Sequence, residues 1–171
     1  MGVLYDEESD FAFFHTSFPL IVYRANMSVL NSIDAEGTYE IDQGIDRVVV
    51  DQFAGSTYAL LDKNPGGKRM IVAGFGRIHV VDLEYVYFGQ PIYEVAPSIG
   101  FYSTAGEIYI NPANNLSYAW FADYGVRADN VSLYRLAVDN ATFTSTLLNF
   151  DYVISSAKYS DSVAFMATER G

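Results

Sequence analysis

Few residues in this chain have the type and spacing for chemistry. His15 follows Phe14 near the end of an apolar run, and His79 lies between Ile78 and Val80. Either imidazole could ligate zinc or act as a general base, yet neither has an acidic partner nearby in sequence. Packing within a sheet is the simpler role for both. The run Asp6, Glu7, Glu8 and Asp10 offers the hard oxygen ligands that calcium prefers, but it lacks the D-x-D-x-D-G spacing of a calcium loop. A solvated turn competes with that reading, and calcium is the one cofactor the sequence leaves open. Asn64–Lys68 (NPGGK) lacks phosphate-loop spacing and leads into RMIVAG, an apolar run suited to a strand. Gly74-Phe75-Gly76 is likewise followed by no helix, which a dinucleotide fold requires. No Ser-His-Asp set or carboxylate pair can be assembled, so no catalytic residue is assigned and the sequence leans away from an enzyme without deciding the point.

Composition narrows the classes. The 171 residues include 14 Tyr and 12 Phe but only 10 Lys plus Arg, a balance that suits sheets better than helices. The length fits one domain with a real core. A net charge of −11 disfavours nucleic-acid backbones and anionic membrane surfaces. No stretch approaches the roughly 20 apolar residues that cross a bilayer. The first ten residues have neither the basic start nor the apolar run of a signal peptide. Cysteine is absent, which removes disulfides and thiolate metal sites. Four acceptor sequons, at Asn26, Asn115, Asn130 and Asn140, exceed the chance expectation of about 1.2 and lean towards an extracellular or secretory setting.

The elements that must position these residues repeat. Phe11-Ala12-Phe13-Phe14, Tyr58-Ala59-Leu60-Leu61, Tyr118-Ala119-Trp120-Phe121 and Val163-Ala164-Phe165-Met166 each set an alanine between bulky apolar residues. Apolar runs precede them: Val3–Tyr5, Arg47–Asp51, Ile108–Asn111 and Tyr152–Ser156. Asp51, Asn111 and Ser156 each stand eight residues before the alanine. The turn-rich peptides DEESD, QFAGS, PANNL and KYSD lie between, so each pair reads as a hairpin. A third strand closing on aspartate is expected at Val29–Asp34, Ile78–Asp82 and Leu133–Asp139. A fourth is expected at Thr38–Ile41, Tyr85–Phe88 and Thr142–Leu148. Residues 89–106 read as an insertion, in which Pro91 and Pro97 exclude a central strand. This spacing predicts an all-β repeat domain over 1–171 with units at about 1–46, 47–106 and 107–151 and an incomplete unit at 152–171.

The repeat resembles six-bladed β-propellers of the YWTD and NHL kind. Residues 110–125 (INPANNLSYAWFADYG) carry most of the likeness, with Trp120-Phe121-Ala122-Asp123 where YWTD would stand. Residues 48–62 are a looser match, and Asp34–Gly37 is similar to the closing turn. The resemblance implies a partial propeller of about three and a half four-stranded antiparallel blades. Such a piece needs further blades or a second chain to close. It also implies a rigid platform that engages a protein or glycan partner through its loops, without catalysis. Two alternatives remain. One is a divalent-metal-dependent hydrolase of the gluconolactonase-like type, for which Asp51 and Asn111 would be the inner-strand ligands. The other is a purely structural segment of a larger surface protein.

Overall fold

The structure is a computed structural model that describes residues 3–30, 44–64, 68–84, 88–97, 101–103, 105–123, 132–147, 153–158 and 164–168. Its described elements are strands and one single-turn helix, α1 (Met27–Leu30). Sheet I consists of β1 (Val3–Asp6), β2 (Phe11–His15), β3 (Leu20–Asn26) and β4 (Ile45–Asp51). Sheet II consists of β5 (Ser56–Asp62), β6 (Arg69–Gly74), β7 (Ile78–Asp82) and β8 (Pro91–Val95). Sheet III consists of β9 (Ala105–Asn111), β10 (Leu116–Asp123), β11 (Ser132–Ala137) and β12 (Thr142–Leu147). A final hairpin pairs β13 (Val153–Lys158) with β14 (Ala164–Thr168). Within each sheet the strands pair antiparallel in chain order. The protein is all-β, as its composition implies.

Sheet II is the middle layer. Along β6, Met70 and Val72 face sheet I while Ile71 and Ala73 face sheet III, and none of the four is exposed. Successive strand residues point to opposite faces. A strand covered on both sides therefore needs an unbroken apolar run, which Met70-Ile71-Val72-Ala73 supplies. Phe13, Leu20 and Val22 fill the layer towards sheet I, and Phe101, Phe121 and Leu136 fill the layer towards sheet III.

Two ends of the stack matter below. The lower end carries the β1–β2, β5–β6 and β9–β10 turns, tied by Lys68 Nζ donating to Asp6 and Asn64 Nδ2 donating to the Asn115 carbonyl at 2.9 Å. The upper end carries the β2–β3 and β6–β7 turns and the β4–β5 connector. There Ser56 N donates to the Ser17 carbonyl at 2.9 Å. Gly74 passes so close to the connector that a Cβ on it would stand 1.9 Å from the Gly55 carbonyl oxygen. Only glycine allows two backbones to meet in this way.

The hairpins at β1–β2, β9–β10 and β13–β14 fall where the repeat places them. The second does not. Arg47–Asp51 belongs to β4, which pairs with β3 as the last strand of sheet I. Ala59 lies on β5, the first strand of sheet II, whereas Ala12 and Ala119 lie on second strands. Ala59 and Ala119 are both buried, but in non-equivalent strands. The boundary placed at 46/47 therefore cuts through β4. QFAGS makes a tight connector between sheets, and such a connector has the same turn residues as a hairpin loop.

Of the expected third strands, Ile78–Asp82 is β7 and Leu133–Asp139 contains most of β11. In sheet I the third strand is instead β3, earlier in the chain; α1 covers Val29 and Leu30, and 31–34 lie outside the described residues. Thr38–Ile41 and Tyr85–Tyr87 also lie outside them, and Phe88 is in a turn. The fourth strand of sheet II is β8, inside the segment read as an insertion. It is an edge strand with Pro91 as its first residue, where a missing N–H is tolerated. Thr142–Leu148 matches β12.

Candidate functional site

The upper end gathers the residues with unspent chemistry. His79 is on β7, directly opposite Glu94 on β8, and both point towards sheet I in the same row as Val72. Asp51 ends β4 across the gap between sheets. One ring nitrogen of His79 and one carboxylate oxygen each from Asp51 and Glu94 lie within 4.8 Å of one another. His79 is 2% exposed, and its Nε2 is buried without a hydrogen-bond partner among the described residues. Nδ1 stands 3.8 Å from Glu94 Oε2, beyond hydrogen-bond range. Burial lowers the His79 pKa, outweighing the neighbouring carboxylates of Glu94 and Asp51, so the ring is neutral at pH 7. Asp51 Oδ1 accepts from the backbone N–H of Phe53 at 2.7 Å and of Ala54 at 3.2 Å. Arg77 Nη1 bridges both oxygens of Glu94, at 2.9 and 3.0 Å, on the solvent side.

Exposed aromatics surround this corner. Phe18 in the β2–β3 turn is 67% exposed, Phe53 in the β4–β5 connector 89% and Phe75 in the β6–β7 turn 62%. Phe75 packs over Gly55 and lies 5.1 Å, centroid to centroid, from Tyr102. Gly76 N donates to the Phe101 carbonyl at 2.7 Å, fastening the β6–β7 turn to the segment before β9.

His15 has a different fate. Its Nδ1 lies 2.7 Å from Ser56 Oγ, a pairing that invites a nucleophile reading. The Ser56 hydroxyl, however, donates its proton to the Thr16 carbonyl, so its oxygen accepts from His15 Nδ1–H. Both side chains are buried, and burial lowers the His15 pKa. The pair is a clamp between sheets I and II.

The two metal candidates read from sequence are not brought together. Asp51 is at the upper end of sheet I, on its fourth strand. Asn111 ends β9, the first strand of sheet III, at the lower end beyond sheet II. Asn111 shapes the β9–β10 turn: its Oδ1 accepts from Ala113 N at 2.9 Å and its carbonyl from Asn115 N at 2.7 Å. The acidic run is also partly committed, with Asp6 held by Lys68 and Ser9 and Asp10 by Tyr5 and Ser28. Among the sequons, Asn115 and Asn140 sit exposed in turns, and Asn26 ends β3 beside α1. Asn130 lies outside the described residues. No described helix is long and apolar enough to cross a membrane.

Sequence reasoning missed Glu94 and set His79 aside. The pairing of β7 with β8 brings them together, and a strand hidden in an apparent insertion gave no warning of it. A cleft of about 350 Å3 between β5 and β9, lined by Leu61, Asp62, Lys63, Ile108, Tyr109 and Ile110, offers no comparable donor set. Comparison of the chain with protein-family models and with curated proteins finds no match.

Proposed function

We propose that this chain is a non-catalytic binding module built from propeller-type blades, and that its upper end engages a protein partner. The observation that carries the reading is the set Phe18, Phe53 and Phe75, three largely exposed phenylalanines on adjacent loops. Exposed aromatics grouped in this way are typical anchors of protein interfaces. Their loops are held by backbone contacts at Gly55, Gly74 and Ser56, so little ordering entropy opposes binding.

The blade reading draws support from three four-stranded meanders stacked in chain order, with β5 beside β9 and β9 beside β13. The outer face of sheet I is apolar: Val3, Tyr5 and Val49 are exposed there, beside the stacked pair Phe14 and Tyr23. That face suits packing against a further blade or a second chain. The hydrolase alternative draws no support from Asp51 and Asn111, which occupy different sheets and opposite ends.

The test is selection of a phage-displayed peptide library and an immobilised glycan panel on the wild-type chain. Both are then repeated on a variant with Phe18, Phe53 and Phe75 replaced by Ser. Peptides retained by the wild type and lost by the folded variant are the expected result. Retention of glycans alone would move the reading to carbohydrate recognition. Equal retention by both proteins would remove the upper end as the binding surface.

A further inference from the structure

We infer that Asp51, His79 and Glu94 form a binding site for a divalent transition-metal ion of the zinc class, clasping sheet I to sheet II. The inference rests on these residues alone and stands apart from the protein-binding reading above. Two observations support it. The donor set is one imidazole and two carboxylates, a combination suited to zinc and its neighbours. Calcium prefers oxygen ligands alone and more of them. His79 Nε2 is buried with no hydrogen-bond partner among the described residues, although a buried polar group without a partner is costly.

The remaining geometry is reachable. Ligands at about 2.1 Å around a tetrahedral ion lie about 3.4 Å apart, closer than the 4.8 Å limit within which the three now fall. Glu94 is 52% exposed on an edge strand, so its side chain can swing inward at little cost. Its present partner Arg77 is equally exposed, and such surface pairs contribute little to stability. Asp51 uses Oδ1 to hold the backbone of Phe53 and Ala54, and no described group is bonded to its second oxygen. The two carboxylates balance the charge of a divalent ion. A fourth position is left to water.

Isothermal titration of the full chain with zinc chloride, and separately with calcium chloride, tests the site. The wild type should bind one zinc ion saturably and calcium far more weakly. Asp51→Asn keeps the oxygen that caps the turn, and Glu94→Gln changes an exposed edge position, so both should fold. Each should weaken zinc by at least about tenfold, and the double variant should lose it. On the wild type alone, zinc should shift the ring resonances of His79 and leave those of His15 in place. Absence of saturable zinc binding, retention of affinity in the double variant, or an unmoved His79 ring would each overturn the inference.

Discussion

Sheet II meets its two neighbours in different ways. Towards sheet III the buried polar groups are satisfied. Arg69 donates to Asp62 through Nε at 2.9 Å and reaches Asp139 at 2.8 Å. Asp62 Oδ1 accepts from Ser117 Oγ at 2.8 Å and from Asn64 N at 3.1 Å. Ser117 N donates to Asp139 at 2.8 Å, and Tyr93 O–H donates to the Val138 carbonyl. Burial pushes the Tyr93 phenol up to about 12, so it remains a donor. Towards sheet I the layer is less complete. Among the described residues His79 Nε2 has no partner, and Asp6 Oδ1 has only the looser Lys63 ammonium at 3.5 Å. Aromatics lie open at the upper end. A satisfied buried network fixes one arrangement, whereas unspent donors and exposed rings leave groups without such a role in packing. The first junction holds the fold, and the second carries the candidate chemistry.

The contrast can be broken most directly at Arg69. Arg69→Ala leaves the buried Asp62 carboxylate unpaired and should cost about 3–5 kcal/mol in urea unfolding. A loss near zero would mean the sheet II–III network is not structural. Gly74→Ala attacks the other junction by driving a Cβ into the Gly55 carbonyl. It should cost about 1–3 kcal/mol, read as a lower thermal midpoint, and disturb the Phe75 loop. An unchanged midpoint would show that the close approach is slack.

A smaller effect is expected from Asp6. Its burial opposes ionisation, but hydrogen bonds from Lys68 and Ser9 and the charges of Lys68 and Lys63 prevail and hold its carboxyl down at about 2. A carboxyl whose folded pKa lies below its unfolded value stabilises the fold above that unfolded value, near pH 4. The contribution disappears as pH falls towards about 2. With both lysines partly in solvent, it should amount to on the order of 1 kcal/mol. Urea midpoints of wild type and Asp6→Asn should therefore differ at pH 7 and converge near pH 2. Parallel curves over that range would show that Asp6 ionisation is not linked to folding.

The smallest change sharpens the comparison furthest. His79→Leu removes a buried ring with no hydrogen bond among the described residues, so in metal-free buffer it should alter stability by no more than about 1 kcal/mol. A larger loss would make His79 a structural residue like those facing sheet III.

The all-β class, three of the four hairpins and the third strands β7 and β11 are legible in the order of residues alone. Each of these rests on local signals: alternating or continuous apolar runs, with Gly, Asn, Asp, Ser and Pro between them. The phase of the second unit was not local. Asp51 and Ala59 are separated by the same interval as Asn111 and Ala119, but a connector between sheets and a hairpin loop use the same residues at the same length. Only the pairing of β4 with β3 decides between them. The satisfied network was hidden for a similar reason, since Asp62, Arg69, Ser117 and Asp139 meet across two sheets. So was the candidate site. Residues 51, 79 and 94 share no motif, and they converge because β8 pairs with β7 while β4 packs across from both. Side-chain type is written in the chain, but proximity between strands of different sheets is set by stacking, and no short-range pattern encodes it.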